Sequence, residues 1–262
     1  MNATQTRHAR PAHQAGALVP TIQFSLTILR AGFRNVKALV ATLGLPVFML
    51  FSFWITTRSD SPDELDLMSF MFPAIVALGV MLSGLTQAVR LAGWRAQGVF
   101  RRLASTPVPL GNLVLGAALS QVVMGVLQGA IILLFGYILG MQPHWTSALL
   151  ILAMSTLAAG TFIAFGSVIA SFTTKADIAS YVFFAIFMPL FFLGSFPPEF
   201  LPASMKVILP WLPTSMAIEL IGSLYVVDHL PDNALFYILG LVVYGLILAA
   251  IAVQRFRRQI LE

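Results

Sequence analysis

Long uncharged stretches alternate along this chain with short clusters of charge. The uncharged runs are Ala38 to Thr57, Leu67 to Val89, Leu103 to Thr174, Ile178 to Pro198 and Asn233 to Gln254, of 20, 23, 72, 21 and 22 residues. A helix needs about 20 apolar residues to cross a hydrocarbon core roughly 30 Å thick, so four of these runs predict one span each. The 72-residue run must hold two, turning at its only polar interruption, Met141 to Trp145. The predicted spans are therefore about 38–57, 67–89, 111–140, 148–170, 177–194 and 233–254. A further uncharged stretch, Val207 to Ile218, is only 12 residues long and carries Pro210 and Pro213, too short and too broken to cross.

Ahead of the first span the pattern changes. Ile22, Leu26, Leu29 and Phe33 recur at helical spacing while Arg30, Arg34 and Asn35 fall on other faces, which predicts an amphipathic helix over 18–36 lying on the membrane surface. A solvent-facing juxtamembrane helix fits the same spacing. Residues 1–17, rich in Ala, His, Gln and Arg, predict a disordered tail, and residues 18–262 a single membrane domain. A cleaved leader is not expected, because the first apolar run starts only at Ala38 and bulky Phe51, Phe53 and Trp54 follow where small residues are needed.

Composition agrees with a bilayer. Of the 262 residues 58% are hydrophobic and 10% charged, with a mean hydropathy of +0.90, far from a soluble protein. The net charge of +5 would suit nucleic acid, but a chain this apolar lacks the polar surface for it. Topology explains the bases instead. Six spans put both termini on one face, and if that face is cytoplasmic, 13 of the 15 Lys and Arg lie inside, leaving only Arg58 and Lys206 outside.

Several chemistries are missing. There are no cysteines, hence no disulfide, thiolate ligand or cysteine nucleophile, and a bacterial membrane protein needs none. No Lys follows a Gly, so a phosphate-binding loop is absent. His8, His13, His144 and His229 all fall in tails or loops, which leaves the spans without a histidine for a metal or a dyad. The uncharged runs hold no ionisable residue for proton coupling. No metal site and no catalytic constellation are expected, and a pump of this composition must draw its energy from another polypeptide.

The basic segment Arg90 to Pro109 holds a short predicted helix, Gln97 to Ala104, with Val99, Phe100 and Leu103 on one side and Arg101 and Arg102 on another, ended by Thr106-Pro107. Such a helix suits a partner's groove; its charge also satisfies the positive-inside rule with no docking role. The fifth span is dense in Phe183, Phe184, Phe187, Phe191 and Phe192. Such side chains make adaptable apolar walls, and they equally pack against neighbouring helices or lipid. Gly125 and Gly129 have the spacing that lets helices approach closely.

The pattern Gly98, Leu103, Thr106 and Pro107 resembles the coupling-helix region of the ABC type-2 permeases, the six-helix membrane subunits of ATP-binding-cassette exporters. The stretch Gly194-Ser-Phe-Pro-Pro-Glu-Phe-Leu-Pro202, followed by Leu209-Pro-Trp-Leu-Pro-Thr214, is similar to the same family's signature between the fifth and sixth spans. The resemblance covers nearly the whole chain. It implies an all-α integral membrane fold with six transmembrane helices, an N-terminal interfacial helix and a re-entrant helix pair between spans five and six. A segment with Pro197, Pro198, Pro202, Pro210 and Pro213 cannot form one continuous helix, and half-helices satisfy backbone groups at membrane depth; an exposed Pro-rich loop is the other option.

The resemblance further assigns roles. Gly98, Val99, Phe100, Arg101, Arg102, Leu103, Thr106 and Pro107 form the ATPase-coupling helix; Phe196, Pro197, Pro198, Glu199, Pro202, Pro210 and Pro213 form a re-entrant gate; Phe184, Phe187 and Phe191 line a translocation path near a second subunit. Many family members carry acids just before the first glycine, where this chain has Trp94, Arg95, Ala96 and Gln97, so an acidic groove on the partner is expected. The expected assembly is two permease subunits, homodimer or close heterodimer, with two cytoplasmic ATPases that carry the ATP and Mg. The expected activity is export of a hydrophobic or amphipathic substrate, such as a drug, lipid or lipid-linked glycan, across a bacterial cytoplasmic membrane with both termini inside. A channel or scaffold without an ATPase is the alternative.

Overall fold

A computed structural model of the chain describes residues 18–57, 67–103, 110–141, 143–196 and 201–258. Ten α-helices follow one another in this part: α1 (Leu18–Arg34), α2 (Val36–Thr57), α3 (Leu67–Ala96), α4 (Val99–Leu103), α5 (Leu110–Ile138), α6 (Trp145–Phe172), α7 (Ala176–Ser195), α8 (Ala203–Ile208), α9 (Pro213–Val226) and α10 (Ala234–Arg258). Five of them, α3, α5, α6, α7 and α10, are long and apolar enough to cross a membrane. The 22 residues of α2 rise about 33 Å where the first span was expected, but its apolar part, Thr42–Thr56, is shorter than those of the five. The predicted tail, residues 1–17, and the connection between the first two predicted spans, residues 58–66, lie outside the described residues.

Two sets of contacts define the ends of the bundle. At one end Arg95 on α3 reaches the last carbonyls of α6 and Arg255 on α10 lies over the ring of Phe172; this is the basic end. At the opposite end the Trp54 indole N–H donates to the Leu139 carbonyl at 2.9 Å, and Ser147 in the first turn of α6 hydrogen-bonds Asp228 beyond α9. Consecutive spans therefore run antiparallel, as short connections require.

The core is built on α3, whose stretch from Phe72 to Gly84 is buried throughout. A helix apolar all round belongs at the centre of a bundle. Against it pack α5, α6, α7 and α9, bringing together Met81, Ile132, Phe162, Phe183, Phe187 and Leu220. Among its described residues α10 buries Leu241, Ala252 and Phe256, packs Tyr237 and Ile238 on the core, and exposes Leu235, Leu239, Val243, Leu246 and Ile247. The internal prolines Pro46, Pro73 and Pro189 sit within α2, α3 and α7, as spanning helices tolerate.

α3 extends further than the hydropathy pattern implies. It continues through Arg90 and Arg95 to Ala96, so these two arginines are helical and partly buried rather than in a loop. Each is accommodated by an oxygen: the Arg90 guanidinium donates to Ser120 Oγ at 3.3 Å, and Arg95 donates to the Ser171 and Thr173 carbonyls at 3.0 and 3.2 Å. The second contact places a cation on the orphan carbonyls of a helix C-terminus, where it is favoured.

α1 packs along α5, with Thr21 and Phe24 against Gly116 and Gly32 against Met124. Thr21 is buried, and the Phe24 ring packs on Trp94 with centroids 5.9 Å apart. Ile22, Leu26 and Phe33 are exposed on its other side. The helix thus has one face on the bundle and an outward apolar stripe.

Candidate functional site

The basic end carries a short helix held by aromatic rings. Gly98 has φ +66, a left-handed conformation that costs a β-carbon residue about 1–2 kcal/mol. Around it the Gln97 N–H bonds the Gly93 carbonyl and the Gly98 N–H bonds the Arg95 carbonyl, at 3.0 and 3.1 Å, closing α3. The Arg102 N–H then bonds the Gly98 carbonyl, opening α4. One glycine therefore ends the long helix and starts the short one.

Phe100 anchors α4. Its ring meets Trp94 edge-on at 6.3 Å and Phe256 at 5.4 Å. With the Phe24–Trp94 contact, one continuous aromatic row joins α1, α3, α4 and α10. Each such pair is worth about 0.5–1.5 kcal/mol beyond its burial. Arg102 is exposed and its guanidinium donates back to the Gln97 carbonyl at 2.9 Å. Gly98, Val99, Phe100 and Arg102 thus assemble as one unit, with Arg101 and Leu103 on its backbone; Thr106 and Pro107 lie outside the described residues.

The second predicted site lies toward the opposite end. α8, a 3-10 turn at Leu209–Trp211 and α9 form a pair bent by 82°. At about 1.5 Å per residue α9 is roughly 21 Å long and cannot cross a core of about 30 Å. α9 buries Thr214, Met216, Ala217, Leu220, Ile221 and Leu224, whereas α8 buries nothing. The bend is pinned on two sides. The Tyr244 hydroxyl donates to the Trp211 carbonyl and the Thr214 hydroxyl to the Leu190 carbonyl, both at 2.9 Å.

Pro213 occupies the first turn of α9, where its missing N–H costs nothing. Pro210 lies in the 3-10 turn and the Pro202 carbonyl accepts the Met205 and Lys206 N–H groups to open α8. Phe196 caps α7 and is exposed. Pro197, Pro198 and Glu199 lie outside the described residues.

The phenylalanines of α7 divide. Phe187 and Phe191 are buried at 0% and 5% exposure, with Phe187 edge-on to Phe162 at 5.8 Å and leaning on Phe183 at 5.1 Å. They face the bundle of their own chain. Phe184 is half-buried. The outward face of α7 is instead Ile178, Tyr181, Ile186 and Phe192.

Hydropathy also passes over a buried polar seam. Ser83 and Gln87 on α3, Ser120, Gln121 and Gln128 on α5, and Ser155 and Ser167 on α6 are all buried. The Gln87 amide donates to Ser167 Oγ at 3.4 Å. Such side chains join helices in an apolar solvent. Their helical spacing, Ser83 to Gln87 and Gln121 to Gln128, is the signal that would have found them.

A family profile described as ABC-2 type transporter matches residues 22–225, from α1 to the last turn of α9. The chain belongs to this family. It is a multi-pass membrane protein and the permease subunit of an ABC transporter, a class that works with ABC ATPase subunits. A search of curated proteins gave no match.

Proposed function

We propose that this ABC-2 permease forms, with a second copy or a close relative, the membrane half of an ATP-driven exporter, and that two cytoplasmic ATPases dock on α4. The observation that carries the reading is the seating of α4: Gly98 turns it off α3, and Phe100 fastens it to α3 and α10. A push on so short a helix moves the ends of two spans together. The arginines of this end fit an acidic groove on the motor and, by the positive-inside rule, put this end and both termini in the cytoplasm of a bacterial cell.

The permease performs no covalent step in this scheme. ATP and Mg belong to the partner, whose closure tilts the helices and releases a hydrophobic or amphipathic molecule, a drug, lipid or lipid-linked glycan, from the inner leaflet. Half-buried Phe184 contributes to the path, and the bend at Pro210 to Pro213, with the neighbouring Phe196 to Pro202 segment, gates its outer end.

Reconstitution tests this. Proteoliposomes holding the permease with the ATPase that copurifies should move a fluorescent amphiphile only with hydrolysable ATP. Movement at the same rate without nucleotide would favour a channel instead.

A further inference from the structure

Between α5, α6 and α10 runs a groove of about 320 Å³. Its floor is Ile163, Ala164 and Ser167 of α6, and its rims are Leu115 and Leu119 of α5 and Leu246 of α10. The floor is buried, while the three rim leucines are 50%, 50% and 66% exposed, so the groove opens sideways from the bundle. We propose that it holds one acyl chain of an anionic phospholipid, with the phosphate beside Arg255.

Three observations converge. The first is length: the α10 wall from Leu241 to Val253 rises about 18 Å, close to one leaflet of a core about 30 Å thick. Next is position. On α10 the groove ends at Val253, and Arg255 lies two residues further on. Arg255 is exposed and lies 4.2 Å over the Phe172 ring; a ring face consumes none of its N–H donors, which stay available for a phosphate. Last is vacancy in the wall itself. A Cβ built at Gly160 meets nothing within 4 Å, so the α6 backbone is bare where a chain would lie. That this leaflet is the inner one rests on the orientation proposed above; the groove and its arginine do not.

Native mass spectrometry of the full-length protein, with added phosphatidylglycerol or phosphatidylcholine, tests the site. Wild type should retain one phosphatidylglycerol per chain with a preference of about fivefold over phosphatidylcholine, as one arginine near an anionic group supplies. Arg255→Gln should retain lipid without the preference. Gly160→Leu fills the groove and should lose the lipid, whereas Gly44→Leu, also open around its Cβ but on α2, should keep it. Full retention by Gly160→Leu, equal loss in Gly44→Leu, or an undiminished preference in Arg255→Gln would each overturn the proposal. A chain that takes up lipid in this way but couples to no ATPase would leave the site standing and remove the transport reading.

Discussion

Gly84 and Gly166 bring the backbones of α3 and α6 into direct contact. A Cβ at Gly84 would run into the Phe162 carbonyl, and one at Gly166 into the carbonyl of Gly84 itself. Backbone cannot yield as a side-chain tip does, so Gly84→Ala and Gly166→Ala should each cost about 1–3 kcal/mol or more. Gly93→Ala, with open space around its Cβ, is the control. Thermal unfolding in detergent measures this, with a clear drop expected for the first two and little change for the third.

Phe100 should matter to coupling more than to folding. Phe100→Ala removes two ring contacts, about 0.5–1.5 kcal/mol each, and frees α4 from α3 and α10. The ATPase should still bind, while its stimulation by substrate is largely lost. Stimulation equal to wild type would count against the aromatic row as the transmission.

Phe187 carries the opposite expectation. Enclosed by Phe162, Phe183 and Phe191, it should behave as a core side chain, and Phe187→Ala should destabilise by about 3–5 kcal/mol. Phe184→Ala should shift substrate range with a smaller loss of stability. The comparison is read from unfolding midpoints beside transport of two or three substrates.

Arg95 closes α6, and Arg95→Met should weaken that end by about 1.5–3 kcal/mol, the range for hydrogen bonds to a charged group. Hydrogen exchange should rise locally at Ala170 to Thr173 and not at the Trp145 end of the same helix.

The absence of cysteine makes topology easy to read. A single cysteine at Trp145, exposed near the opposite end, should react with an impermeant maleimide from outside the cell. One at exposed Arg102 should react only after permeabilisation. The reverse labelling would invert the account.

Much of this architecture was legible because it follows from one solvent. A bilayer demands long apolar helices, so charge positions alone located the five helices long and apolar enough to cross, and observed ends such as Trp145–Phe172 differ from the expected 148–170 by a few residues. The amphipathic pattern of the first helix was legible from Ile22, Leu26 and Phe33, which α1 leaves exposed. What stayed hidden depends on partners distant in sequence. Arg90 and Arg95 look like loop cations until Ser120 and the end of α6 are seen beside them. Phe187 and Phe192 belong to one aromatic run, yet only the fold decides that one is buried and the other outward. Gly84 and Gly166 carry no mark in a hydropathy profile; their meaning comes from the crossing of two helices.

The claim that α4 is the seat of a separate motor is tested most directly by the stoichiometry of the complex. Purified in mild detergent, the wild-type chain should carry an ABC ATPase at one per permease. Arg101→Glu with Arg102→Glu should fold and insert normally but lose that subunit. Finding no ATPase on the wild type, or the same amount on both, would contradict the account.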